Sequence, residues 1–380
     1  MIPSNEVAKL KNALPFWLSL SFVLVIPFAI SLGGWWLLIV PLYTWGLYSV
    51  LDLILGTYLE DNDPQTSEPQ LFWYRAITLI WLPVQFVIVF GSLYYAVNSG
   101  VLDWWEKILL MFGVGVSSGT VGIVYAHELF HQRNRLERAL GDGLMAITLY
   151  GHFRSEHLLV HHSYVGTPRD PVTARYNEGF HRFFIRVLHS CLTSAWRAEK
   201  AMLARKDLPV WHRSNPFWRY VGLQGGLLVL AFLIGGWEGI ALFAYQAFIA
   251  VWQLELVNYV EHYGLTRKHL GNGKYEMVSP RHSWNAAHRA SNWLLINLQR
   301  HSDHHYRPNR RFPLLQNYPE TEAPQLPAGY PVMTALAMVP PLWRRYMNPK
   351  VRKWRAMYYP DIVDWAPYKN ASLPMPKGAS

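Results

Sequence analysis

Cysteine is almost missing from this 380-residue chain: Cys191 stands alone. One thiol closes no disulfide framework, and it holds no iron–sulfur or rubredoxin-type centre, which needs several thiolates. Charge is scarce as well. Only 16% of residues are Asp, Glu, Lys or Arg, against about 25% in soluble domains. No charged side chain occurs in Asn12 to Leu51, Ala76 to Leu102, Ile108 to Ala126, Tyr220 to Trp237 or Gly239 to Leu254. A helix crossing a bilayer needs about 20 apolar residues, so the first run is long enough for two, broken at Gly33-Gly34. These runs predict an all-α integral membrane protein of one domain, 1–380, with about six transmembrane helices. The spans fall near 13–33, 35–56, 76–99, 108–127, 219–237 and 239–257. The first run goes on too long, with no small-residue cleavage site, to be a signal peptide.

The charge that is present lies mainly between the spans, and its balance is +10. Loops rich in Lys and Arg stay in the cytoplasm, which places 128–218 and 258–380 there as a helical, histidine-rich cap. Glu60, Asp61, Asp63 and Glu68 make the segment after span two acidic, but acidic residues contribute little to orientation. Nucleic acid is another partner a basic chain suggests. No recognition module accompanies these residues, so the partner expected is membrane lipid.

Histidine is what the chain has in quantity. Nine of its sixteen fall into four clusters. HELFH holds His127 and His131, and EHLLVHH holds His157, His161 and His162. NYVEHYGL holds His262, and LQRHSDHH holds His301, His304 and His305. With the expected topology, all four lie on one side of the membrane, at or just beyond the ends of spans four and six. One structural zinc takes four ligands and a catalytic zinc usually three from protein, so nine imidazoles point to two metals. On an α-helix, i and i+4 share a face. That pairs His127 with His131 and His157 with His161 on single ions. His162, about 100° round from His161, reaches a second ion, and His304 and His305 divide around His301. Glu128, Glu156, Glu261 and Asp303 adjoin or closely precede these histidines and are expected to orient them or to serve as occasional ligands. His152, His181, His189, His212, His269 and His282 read as ordinary buried or exposed residues, and His288 as an orienting or structural one.

Imidazole accepts zinc, copper, iron and nickel alike. HELFH also satisfies the H-E-x-x-H pattern of zinc proteases, but that chemistry leaves HLLVHH and HSDHH without a purpose. A metal transporter would want its ligands inside the spans, along a path.

Taken together, H-x3-H, H-x3-HH and H-x2-HH resemble the histidine-rich diiron membrane desaturases and hydroxylases. NYVEHYGL and LQRHSDHH are similar to the signatures of the bacterial membrane alkane 1-monooxygenases, and the resemblance extends to about Pro349. It implies an oxidoreductase of the bacterial inner membrane, with the histidine clusters on the cytoplasmic side. Such an enzyme hydroxylates the terminal methyl of medium- to long-chain n-alkanes with O2. It implies two non-haem irons held by His127, His131, His157, His161, His162, His262, His301, His304 and His305. It also implies electrons from a rubredoxin, itself reduced by a rubredoxin reductase, which accords with the lone cysteine. Gln132 stands where many members continue with Lys. An acidic rubredoxin is expected to dock on Arg133, Arg135, Arg138, Arg307, Arg310 and Arg311. Bulky residues on span two limit substrate length in such enzymes. Here Tyr43, Trp45 and Tyr48 are large, and small Thr44 is the candidate for the far end of a substrate channel.

Overall fold

The computed structural model describes residues 4–366. Among them, the only strands form a short hairpin, His269–Gly271 with Lys274–Tyr275. Five helical stretches are long and apolar enough to cross a membrane: Lys9–Leu32, Gly34–Leu55, Glu68–Asn98, Trp104–Phe130 and Phe217–His262. The last has 46 residues. As one rod it would run about 69 Å, more than twice the roughly 30 Å hydrocarbon core. It is not one rod. Gly235 and Gly236 leave helical geometry, Gly236 with φ 57°. Gly239 then lies so close to Ala231 that a Cβ there would sit 2.2 Å from its carbonyl oxygen. The stretch is a helical hairpin, spans five and six, whose turn is these two glycines rather than Trp237-Glu238.

Several helices outrun their uncharged sequence. Span three starts at Glu68 and carries Arg75 to Glu137, 2.7 Å away. Span four ends at Phe130 and span six at His262. A helix need not stop where its apolar run stops, provided that its charged end leaves the bilayer among partners.

Contacts sort into two ends. At one, the Gly34 N–H donates to Glu106 (2.6 Å), Lys107 pairs with Glu238 (2.7 Å) and Asn98 donates to the Ile234 carbonyl (3.2 Å). At the other, the start of span three and the ends of spans two, four and six meet the cap. The acidic segment after span two belongs to this cap end. Asp61 pairs with Arg300 (2.9 Å) and Glu68 with Arg311 (2.7 Å).

Spans four and six touch backbone to backbone. A Cβ on Gly115 would lie 2.6 Å from the Gln246 carbonyl, and one on Gly119 would lie 2.9 Å from that of Ala250. Small residues permit such an approach in lipid. Buried polar groups in the same layer are joined: Gln85 donates to Ser118 (2.8 Å), Ser118 to Gln246 (3.2 Å), and Gln246 to the Ile147 carbonyl (2.8 Å). This contact brings the His127 end of one helix beside the His262 end of the other.

Candidate metal centre

The nine clustered histidines come from four places and meet in one region. His127 and His131 end span four, and His262 ends span six. His157, His161 and His162 sit on a broken helix after a turn at Leu149–His152. His301, His304 and His305 occupy the short helix His301–Tyr306. They divide into two groups, in each of which one nitrogen per ring lies within 4.8 Å of all the others. His127, His131, His157, His162 and His304 form one; His161, His262, His301 and His305 form the other.

This division corrects the expected pairing of His157 with His161. Residues His157–His161 form a π-helical turn, in which the His162 N–H reaches back to the carbonyl of His157. A π turn closes on i+5 instead of i+4. His157 and His162 therefore share a face, with their Nε2 atoms 3.0 Å apart, and His161 is turned to the second group. One inserted register step lets a five-residue segment serve two ions.

Nitrogen spacing is short within each group. In the first group, the Nε2 atoms of His131 and His157 are 3.0 Å apart, and those of His162 and His304 are 3.1 Å apart. In the second, His301 lies 3.1 Å from His262 and 3.0 Å from His305, and His161 lies 3.2 Å from His305. With metal–nitrogen bonds of about 2.1 Å, ligands at right angles stand about 3.0 Å apart and tetrahedral ones about 3.4 Å. The closest nitrogens are near enough for the rings of each group to share one ion. Burial, reinforced by neighbouring imidazoles, pushes His131, His157, His162, His301, His304 and His305 well below the usual histidine range. The rings are thus neutral and able to ligate. Each group can hold a metal ion.

The chain matches the fatty acid desaturase family over residues 102–337, a stretch containing all nine histidines. It is 37% identical to alkane 1-monooxygenase 1 of Pseudomonas aeruginosa, over 93% of this chain and 94% of that one. It is also 37% identical to alkane 1-monooxygenase 2 of the same organism, over 90% and 92%. With alkane 1-monooxygenase 2 of Alcanivorax borkumensis, identity is 34% over 90% of each chain. The chain belongs to the fatty acid desaturase family, among the alkane 1-monooxygenases. In this family setting HELFH is not a protease motif. Glu128, which would be the protease base, accepts from Gln132 (3.0 Å).

The four acidic residues expected to orient the rings do not behave alike. Glu261 reaches His301 (3.3 Å) on one oxygen and accepts from Tyr330 (2.8 Å) on the other. Asp303 turns away, holding Arg310 (2.6 Å) and the Tyr318 hydroxyl (2.7 Å). Glu128 is directed to Gln132, and Glu156 is buried with neither oxygen hydrogen-bonded. Adjacency in sequence misled here, because on a helix a neighbour points about 100° away. The partner that sequence reasoning missed is Asp170. Its Oδ2 accepts from His161 Nδ1 at 2.9 Å, while Val172 N–H (3.0 Å) and the Thr173 hydroxyl (2.7 Å) hold the carboxylate. This bond fixes the tautomer, leaving Nε2 of His161 bare. The signal was an acid between two prolines, Pro168-Arg169-Asp170-Pro171, in a loop following a histidine cluster.

The docking arginines also need correction. Arg310 is committed to Asp303, and Arg311 is buried between Glu68 and Glu137. Arg133, Arg135 and Arg307 are exposed, and Arg138 is half-buried. The exposed apolar side chains of Leu136 and Tyr306 lie in the same segments.

Two apolar cavities of about 30 Å³ each lead away from the histidines. The inner one is walled by Ile123, Val124, Phe153, Val257 and Leu298 and ends on His127, His157 and His301. The outer one shares Val257 and is walled by Thr44, Trp45, Leu294, Leu295 and Pro331. Thr44 is buried, and its hydroxyl donates to the Val40 carbonyl (2.9 Å). It lies in a π-helical stretch, Leu42–Leu47.

Proposed function

We propose that this chain is a non-haem diiron monooxygenase of the bacterial inner membrane. It converts medium- to long-chain n-alkanes, O2, two electrons and two protons into primary alcohols and water. The observation that carries this reading is an apolar cavity that ends on histidines of both metal-competent groups. A methyl C–H bond has no acidic proton and no dipole, so acid–base groups cannot activate it. Two irons held by the nine histidines would supply the oxidising power. The chain's own residues do the rest. The nine imidazoles hold the metals, with Asp170 orienting the ring of His161 through Nδ1 and Glu261 facing Nε2 of His301, on the side where the metal would sit. Ile123, Val124, Phe153 and Leu298 exclude water and admit a chain end. Because secondary C–H bonds are weaker, terminal selectivity must be steric, and the walls of the apolar cavity would impose it. The test is gas chromatography of products from an n-alkane series, with iron-loaded protein, rubredoxin, its reductase and NADH. Primary alcohols are expected. Secondary alcohols as the main products contradict the steric argument, and no alcohol at all contradicts the function.

Thr44 is among the residues lining the outer cavity, and in this reading its small side chain sets how long a substrate fits. Thr44→Trp should remove the longest alkanes from the accepted range while leaving short ones oxidised. An unchanged alcohol profile from an alkane mixture, in inserted and iron-loaded protein, removes Thr44 from the channel.

Electrons arrive from an acidic rubredoxin docking on Arg133, Arg135, Arg138 and Arg307, around Leu136 and Tyr306. These residues flank His131 and His305, so a donor seated there is close to both groups. Rising salt should slow turnover, since screening weakens exposed charge pairs. Arg133→Glu with Arg135→Glu should raise the KM for rubredoxin about tenfold or more, as loss of roughly 1.4 kcal/mol in docking would do. A KM unmoved by the reversal places docking elsewhere. The cap faces the cytoplasm in this reading because it holds most of the basic residues. The opposite ends of the spans carry Asp103, Glu106 and Glu238 with Lys107.

A further inference from the structure

A third cavity lies beside the loop whose Asp170 holds His161. At about 240 Å³ it is several times larger than the inner apolar cavity, and its lining mixes polar and apolar surface. One wall is the loop Gly166–Arg175. The other is the helix Phe180–Ala204, which presents Arg186, Ser190, Ser194 and Arg197 at helical spacing. Four arginines line it: Arg169, Arg175, Arg186 and Arg197.

Of these four, only Arg186 has an acid within ion-pair distance among the described residues. Arg186 is satisfied by Glu178 and by the carbonyls of Pro171 and Thr173. Asp170, the acid that lines the cavity, is already occupied by His161, Val172 and Thr173. Arg169 stacks on Tyr164 (5.6 Å). The side chains of Arg175 and Arg197 make no hydrogen bond or ion pair among the described residues. Burial and the like charge of Arg186 disfavour the Arg175 cation, with Glu178 offsetting part of the effect, and an anion in the cavity would relieve the rest. Thr266, another lining residue, has a buried hydroxyl with no partner. Guanidinium forks with hydroxyls between them form the donor set that suits a phosphate group, with its several acceptor oxygens.

Arg169, Ser194 and Arg197 also line an adjoining groove, whose other walls include Leu158, Leu159, Ala201 and Met202. A polar cradle thus opens into a partly apolar trough. The Phe180–Ala204 helix packs on span six through Phe184 and Phe248 (5.9 Å) and near the start of span five through Trp196 and Phe217 (5.0 Å). The cradle residues lie on a different face of this helix from Phe184.

We infer that the cavity between the Gly166–Arg175 loop and the Phe180–Ala204 helix is a binding site for a phosphate group, contributed by an anionic lipid headgroup or by a soluble phosphate. Because Asp170 lies in its wall, an occupant steadies the loop that orients His161.

The test uses full-length, metal-loaded protein, parent and Arg175→Gln/Arg197→Gln, both following thermal unfolding. In detergent, inorganic phosphate is titrated against chloride at equal ionic strength. In nanodiscs, phosphatidylglycerol is added to phosphatidylcholine. A saturable rise in Tm of a few degrees in the parent is expected in at least one arm. In the variant the half-saturating concentration should rise at least tenfold. A response to inorganic phosphate identifies a soluble ligand, and a response to phosphatidylglycerol alone identifies a headgroup. Silence in both arms, or equal responses from parent and variant, overturns the inference.

Discussion

Replacing His157 by alanine should abolish alcohol formation and remove one metal per chain while the other stays. His161→Ala should do the same to the other metal. The two positions are four residues apart, and an ordinary helix would put both on one ion. In this protein the π turn assigns them to different groups, with His157 Nε2 3.0 Å from His162 and His161 Nε2 3.2 Å from His305. The loss of rate should exceed the roughly 10–100-fold that accompanies loss of a ligand's hydrogen-bonded partner, because the ligand itself is gone. Metal analysis of the two purified variants, alongside product assays, checks this. Retention of both metals and of activity in either variant contradicts the assignment. If the double variant His157→Ala/His161→Ala still held one ion, both residues would belong to the same site.

The second large effect belongs to Asp170. Asp170→Ala should weaken metal binding in the group of His161, His262, His301 and His305 by about 10–100-fold. The other group should be nearly untouched. The cause is the 2.9 Å bond to His161 Nδ1: without it the ring is free to rotate and to carry its proton on Nε2, where the metal must bind. Asp170→Asn keeps an acceptor oxygen and should recover part of the affinity, which a purely structural defect would not allow. Competition with an iron chelator measures the effect on each metal. Equal weakening of both ions, or no rescue by Asn, would make Asp170 a loop-folding residue only.

Different parts of this molecule were legible for different reasons. The spans were readable because apolar length is a one-dimensional property, and the Gly33-Gly34 turn falls where the sequence breaks. The Gly235–Gly236 turn was readable only approximately, since Trp237 continues the apolar run while the backbone has already reversed. The nine histidines stood out by spacing and family likeness. Their division did not, because an inserted residue in a helical turn leaves no mark on a periodicity of three and four. Asp170 was hidden because its contact runs from a loop back to a helix. Glu128 and Asp303 were over-read because sequence adjacency suggested contacts that helical geometry forbids. Arg310 and Arg311 looked like free surface charge until the fold brought Asp303, Glu68 and Glu137 to them.

Nine histidines divided five and four should hold two irons. Anomalous diffraction from the iron-loaded protein at the iron edge measures it directly. Two peaks are expected. One should lie about 2.2 Å from nitrogens of His127, His131, His157, His162 and His304, and the other equally close to those of His161, His262, His301 and His305, bond lengths ordinary for imidazole on a first-row metal. A single peak, a signal at the zinc edge instead, or a peak bonded to His157 and His161 together would contradict it.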